Sequence, residues 1–298
     1  MDVLIGILTN IFEECFIYGI MAMGVYISYK VMDFPDLSVD GTFPLGMCVT
    51  ASMITAGADP LLACIVAFIA GSLAGCITGI LNVKLKITDL LSGILVMTAM
   101  WSVNLAITKG SAVLPFYNKN TIFNTGLVQI LPESVQKYRV LIIAGLMMLI
   151  VKILMDLYLK TKSGLLLRAA GDNPQFVTSM SRNPGMMKII GLAIGNGCTA
   201  LAGSILSQQN ESANITSGTG MVILSLASVI IGTSIFSKVK FMKATTMAVI
   251  GAIIYKMCLV AAMQLGLPTN YLKILMAVIF TVALVSNNFF SKGRRKQN

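Results

Sequence analysis

Histidine is absent from the 298 residues, tryptophan occurs once, and Asp, Glu, Lys and Arg together make up only 11 %. Each shortage excludes something. Without histidine the chain lacks the commonest transition-metal ligand and general base. Six cysteines (15, 48, 64, 76, 198 and 258) lie inside apolar runs with no Cys-x-x-Cys pair, so they read as small packing residues. No Gly-x-x-x-x-Gly-Lys-[Ser/Thr] phosphate loop and no Gly-x-Ser-x-Gly elbow occurs. The chain is therefore expected to hold no catalytic residue, no metal and no cofactor of its own. Soluble domains carry roughly 25 % charged residues because their surfaces face water. Here most of the surface faces something apolar.

What is present fits that medium. Hydrophobic residues make up 56 % of the chain and mean hydropathy is +0.84. Lipid cannot satisfy open strand edges, and stretches such as LLACIVAFIAGSLAGCITGI (61–80) show no strand-like alternation. The expected fold is all-α and polytopic, 1–298 forming one membrane domain with about 9 (8–10) spanning helices. The segments run at about 3–30, 43–57, 59–83, 88–108, 138–160, 186–207, 218–236, 241–264 and 270–290. The second is short, with Pro44 and Gly46 near its start, and is expected to be a broken or re-entrant span. The seventh, punctuated by Gly and Ser, shares that ambiguity. No positive region precedes the first run, which carries Glu13 and Glu14, so no cleaved signal peptide is expected.

The net charge of +10 does not indicate a nucleic-acid partner, because the cations punctuate the ends of the apolar runs. With the amino terminus outside and every segment crossing, fifteen Lys and Arg fall inside and five outside. That bias predicts a cytoplasmic carboxyl terminus in a cell membrane, with lipid as the surrounding partner. Gly71, Gly75 and Gly79, and again Gly191 and Gly195, stand four apart and predict close helix contacts.

Two loops are long. The external one, about 109–137, is expected to fold a short helix over the membrane surface. The internal one, about 161–185, contains Asp172 or Asn173 as a helix N-cap and Pro174 at the first helical position. Pro184-Gly185 would end that helix. The spacing predicts a helix of about nine residues, roughly 13 Å long. Its apolar Phe176, Val177 and Met180 ask for a partner surface.

The segment Gly164-Leu-Leu-Leu-Arg168-Ala-Ala-Gly171-Asp172-Asn173-Pro174 resembles the coupling-helix segment of ABC importer permeases of the branched-chain amino acid and ribose type. Asp33-Phe-Pro-Asp-Leu-Ser-Val-Asp-Gly-Thr-Phe-Pro-Leu-Gly46 resembles the stretch after the first helix in this group, especially its tryptophan/tyrosine permease branch. Ala227-Ser-Val-Ile-Ile-Gly-Thr-Ser-Ile235 resembles a late block of the same group. One departure is Ser181-Arg-Asn-Pro-Gly185, where many relatives have Gly-Ile-Asn. The resemblance implies a permease paired with a second permease subunit, either another copy or a related chain, two cytosolic ABC ATPase subunits carrying ATP-Mg, and an extracellular binding protein or lipoprotein delivering a small solute. An amino acid, an aromatic one, is the solute it suggests. On that reading Arg168, Gly171, Asp172, Asn173, Pro174, Phe176 and Met180 couple the chain to the ATPase.

Asp33, Asp36, Asp40 and Thr42 form a polar break beside the second segment that would either hold a rigid turn or line a gate. Intramembrane ionisable or amide groups such as Glu13 and Asn104 are pathway candidates, because polar groups at that depth are costly. An ion-gradient-driven secondary transporter is the alternative. It would call for paired inverted repeats, and no internal repeat is found.

Overall fold

The computed structural model describes residues 2–126, 132, 136–236, 239, 241–266, 268 and 271–295. Helix α1 (Asp2–Val25) continues as a π-helical turn, Tyr26–Val31, followed by α2 (Val39–Thr55), α3 (Pro60–Val83) and α4 (Asp89–Ile107). After strand β1 (Val113–Pro115) come α5 (Arg139–Tyr158), α6 (Lys162–Asp172), α7 (Pro174–Ser179) and α8 (Pro184–Gln209). Strand β2 (Ser212–Asn214) and a 3₁₀ turn (Ile215–Gly218) lead to α9 (Met221–Ile235), α10 (Ala244–Gln264) and α11 (Leu272–Arg295). Seven helical stretches among the described residues are long and apolar enough to cross a membrane. With α2 and α11 they account for all nine segments expected, in an all-α polytopic protein.

The centre of the bundle is α8, the most buried of the spanning helices, which packs against α1, α2 and α3. Backbone contact is achieved through glycine. A Cβ on Gly75 would run into the Leu192 carbonyl, one on Gly71 would stand 2.5 Å from the Asn196 carbonyl oxygen, and one on Gly79 2.8 Å from the Ile189 Cα. The i, i+4 glycines of α3 thus remove side chains where dispersion between backbones has to supply the association. Opposite them Leu62, Ile65, Ile69, Leu73 and Ile77 stand exposed, as a lipid-facing surface requires.

The second segment is a continuous helix that starts earlier than expected, and the break lies just before it. The π-turn ends at Met32, whose N–H donates to the Ile27 carbonyl, and Asp33 reverses the chain at φ 53°. Residues 33–38 run back into the bundle without regular structure, and α2 begins at Val39 rather than 43. The earlier start has a local cause: Asp36 Oδ1 accepts from the Ser38 N–H at 2.9 Å, an Asx turn that sets the first helical residues. The seventh segment is interrupted, entering as the 3₁₀ turn before α9.

The short helix expected in the external loop falls largely on residues outside those described, so only the start of that loop is described in full. That start forms β1, which pairs antiparallel with β2 in register Val113–Asn214, and positions 127–131 and 133–135 lie outside the described residues. Lys238, Lys240 and Lys296, used in the orientation argument, also lie outside them. Lys30, Lys84, Lys160, Lys162, Arg168, Arg182 and Lys188 flank the ends of spans that meet on one face of the bundle, which is termed the basic face below.

Candidate functional site

On the basic face the 161–185 loop is a helix-turn-helix rather than one helix of about nine residues. Thr161 caps α6, accepting from the Gly164 N–H, and Asn173 ends it with an extended backbone. Asn173 then caps α7 through the Phe176 N–H at 3.2 Å, with Pro174 at the first position, so the expected cap and start hold their places. Helix α7 is only six residues long. It stops because Ser181 adopts φ 55° and the Arg182 and Ser181 N–H groups donate back to the Val177 and Thr178 carbonyls. That pattern is a Schellman motif with serine where glycine is favoured. Sequence reasoning missed α6, although Leu165, Leu166 and Leu167 stand within its span.

The apolar residues of this loop divide in two directions. Val177 is fully buried against the chain, whereas Phe176 and Met180 are each 54 % exposed. Arg168 and Asp172 are exposed on α6. Gly171 touches the membrane bundle itself: a Cβ there would collide with the Val31 carbonyl and stand 3.1 Å from the Met32 Cα. Leu167, fully buried, and Met32 both crowd Gly191 at the start of α8. The loop is thereby seated on the end of the π-turn, directly before the broken stretch.

At the far end of that stretch lies a closed polar network. Asn196, midway along α8, donates through Nδ2 to Asp36 Oδ2 at 2.6 Å and to the Leu192 carbonyl at 3.1 Å. Its Oδ1 accepts from Thr42 Oγ1 at 2.8 Å and Ser38 Oγ at 3.1 Å, and Ser38 Oγ also lies 2.6 Å from Asp36 Oδ1. All four side chains are buried. Asp40 plays a different part, its carboxylate accepting from the Gly220 and Val222 N–H groups at 3.0 and 2.7 Å and so capping α9. It covers backbone donors that the first turn of a helix leaves without an intrahelical acceptor. Asn104 of α4 donates to the Gly41 carbonyl at 3.2 Å, and its Oδ1 is buried without a hydrogen-bond partner.

The structure therefore brings together Asp36, Thr42, Asp40 and Asn104 around the start of α2, with Asn196 joining Asp36, Ser38 and Thr42, while Asp40 and Asn104 bond backbone groups instead. Asp33 stands apart, exposed in its left-handed turn. Glu13 is remote from the network, with Gln209 Nε2 donating to its Oε2 at 3.4 Å. Its neighbour Glu14 forms an ion pair with Lys256 of α10. Ser38 was not singled out from sequence, and Asn196 stands between Gly195 and Gly197. A polar residue between two glycines in an apolar helix was the available signal.

Residues 7–284 match the family described as branched-chain amino acid transport system / permease component. The chain is 39 % identical over 279 residues to a tyrosine transport system permease protein of Clostridioides difficile (strain R20291), covering 94 % of this chain and 90 % of that one. It is 30 % identical to an uncharacterized protein of Rickettsia prowazekii (strain Madrid E), over 94 % of this chain and 98 % of the relative. The ribose import permease protein of Escherichia coli (strain K12) is 26 % identical over 94 % of this chain and 85 % of its own length. No solved structure matches the chain significantly. An apolar bundle with seven helical stretches long enough to span among the described residues, aligned to transport permeases almost end to end, is a membrane transport subunit and not an enzyme: the chain belongs to the branched-chain amino acid transport system permease family.

Proposed function

We propose that this chain is the membrane-spanning subunit of an ATP-driven importer in a bacterial cell membrane, with its basic face and carboxyl terminus in the cytoplasm. Two copies pair, two ABC ATPase subunits carrying ATP-Mg bind the basic face, and an external binding protein delivers the solute. The solute is an amino acid, and the tyrosine permease relative supports an aromatic one. The observation that carries this reading is the seating of the 161–185 loop. Phe176 and Met180 project from α7 away from the bundle, while Gly171 presses α6 on the Val31 carbonyl.

Motion imposed on α7 by ATPase closure reaches the bundle through that contact. It displaces Met32 and the 33–38 stretch, whose inner end is tied to α8 by Asp36 and Asn196. Alternating access then amounts to shifting α2 and its break relative to α8.

A gradient-driven transporter is the competing reading. One observation favours it: α2 and α9 both begin inside the bundle, as discontinuous helices around a transport site do. Here, however, the chain's own Asp36 and Asp40 occupy those helix starts.

Co-expression with the cognate ATPase, purification through a tag on this chain and hydrolysis measured in lipid test the proposal. Phe176→Asp is expected to abolish co-purification. Gly171→Val is expected to keep the ATPase bound while losing transport-coupled hydrolysis. Failure of the ATPase to co-purify with a well-folded chain would overturn the reading in favour of the gradient-driven transporter.

A further inference from the structure

A cleft of about 580 Å³ opens between the π-turn, the end of α5, α6 and the start of α10 on the basic face. That volume falls within the roughly 300–1,000 Å³ of small-molecule sites. Four cations line it, Lys30, Lys160, Arg168 and Lys243, against two acids, Asp156 and Asp172. Asp156 is already committed: it accepts from Lys152 at 3.2 Å, Lys243 at 2.9 Å and Thr245 at 2.6 Å. Lys30, Lys160 and Arg168 have no ion-pair partner among the described residues, and Arg168 forms no pair with Asp172 despite the i, i+4 spacing.

Three exposed cations from three separate elements line one cleft without an ion-pair partner, and an anion between them would relieve their mutual repulsion. Nothing in the local helix geometry demands that arrangement. The rest of the lining is suited to an amphipathic molecule: Tyr26, Val31, Leu159 and Ala244 form the apolar part of the wall. Further along α5, Ile153, Leu154 and Leu157 are exposed at the membrane surface, a track on which an acyl chain can lie.

We propose that this cleft binds a phosphate-bearing anion through Lys30, Lys160 and Arg168. Arginine supplies a fork matching two phosphate oxygens, and the lysines add compact charge. Basic pockets between spanning helices hold anionic headgroups in this way. The chemistry is shared by the headgroup of an anionic phospholipid and by free phosphate, and it does not depend on the importer reading or on which leaflet the cleft faces.

The test compares the wild-type chain, Lys30→Gln/Lys160→Gln, and a control Lys109→Gln/Lys119→Gln on the opposite face. In one arm, retention of phosphatidylglycerol from mixed phosphatidylglycerol–phosphatidylcholine nanodiscs is counted by native mass spectrometry. In the other, inorganic phosphate is titrated onto the detergent-solubilised chain and followed by ³¹P line broadening. Near a membrane surface each cation is worth about fivefold in anion affinity, so the double variant should bind about 25-fold more weakly, with the control unchanged. Dependence in the lipid arm alone identifies a lipid site, and dependence in the phosphate arm identifies a free anion. Arg168→Lys, which keeps the charge and loses the fork, is expected to weaken binding less than Arg168→Gln. Equal binding by wild type and double variant in both arms overturns the proposal. So does a double variant that loses only its ATPase partner, because the cleft would then belong to a protein interface.

Discussion

Removing the Asp36 carboxylate should be among the most destabilising single changes in the bundle, and the size of the effect depends on which atoms are left behind. In Asp36→Ala, the Ser38 hydroxyl can turn wholly to Asn196 Oδ1, only 3.1 Å away. The Ser38 N–H and one Asn196 N–H then have no acceptor in a site closed to water. Each buried donor left unsatisfied costs about 1–3 kcal/mol, giving about 4 kcal/mol in total. At about 2–4 °C per kcal/mol, melting should fall by on the order of 10 °C. Asp36→Asn should be far milder. If the Asn196 amide flips, its oxygen accepts from the new amide and its nitrogen donates to Thr42 Oγ1, whose own proton reaches the Val39 carbonyl at 3.4 Å. The loss is then about 1–2 kcal/mol. The assay is thermal unfolding of the detergent-solubilised chain across Asp36→Ala, Asp36→Asn, Asn196→Leu and the Asp36→Ala/Asn196→Leu pair. The pair should be less destabilised than the sum of its singles by about 2 kcal/mol, because both singles break one bond. Strict additivity, or an Asn variant as damaging as the Ala variant, would refute the network as the tie between the break and α8.

Other effects are expected at single positions. Ser181→Gly should relieve a left-handed backbone that costs a non-glycine residue about 1 kcal/mol. Amide exchange across residues 178–182 is expected to slow about fivefold, and unchanged exchange would count against the Schellman reading of the α7 end. Glu14→Leu and Lys256→Met should each leave one charge stranded in the membrane at a cost of about 2.5–3.5 kcal/mol. The double variant should recover most of that loss in a melting experiment, and a double variant as unstable as the worse single would show that the pair contributes more than mutual neutralisation. Gly75→Val should lower stability by about 1–3 kcal/mol through overpacking on the Leu192 backbone. The same substitution at Gly110, where an added Cβ meets nothing, tests only the φ of 84°.

Hydrophobic length was enough to place nine segments, because lipid enforces one rule on every span: its backbone must be satisfied internally. It was not enough to place α2, whose start is set by an Asx turn and by a bond from Asp36 to a residue 160 positions away. The same limit hid the β1–β2 pairing, which joins Leu114 to Ala213. In the loop, Asn173 and Pro174 were legible as cap and first turn because those effects act over three residues. Helix α6 was not, since it is a short helix of 11 residues whose seat depends on Gly171 meeting the Val31 carbonyl, far away in sequence. The three aspartates of the break show the difference most directly. Spacing alone left turn and gate open, and the structure gives Asp36 a network, Asp40 a cap on another helix, and Asp33 an exposed turn.

Those assignments bear on how a rigid bundle can hold a movable element. Continuous spanning helices such as α3 and α8 are locked by backbone contacts that tolerate no added methyl group. A helix tied in that way moves only with its neighbour. Between the last π-turn bond at Met32 and the first α2 bond at the Ser38 carbonyl the chain has no regular helix, and the two ends of this segment are anchored differently. One end abuts Gly171 of α6 through a backbone contact, and the other is held by the side-chain bonds of Asp36 and Asn196. Side-chain hydrogen bonds can be exchanged one at a time, each for less than the whole network costs. A push on α6 therefore meets its softest resistance at the start of α2, where Asp40 also controls the first turn of α9. On the importer reading proposed above, movement there would carry α2 and the first turn of α9 together, because the Asp40 carboxylate joins them.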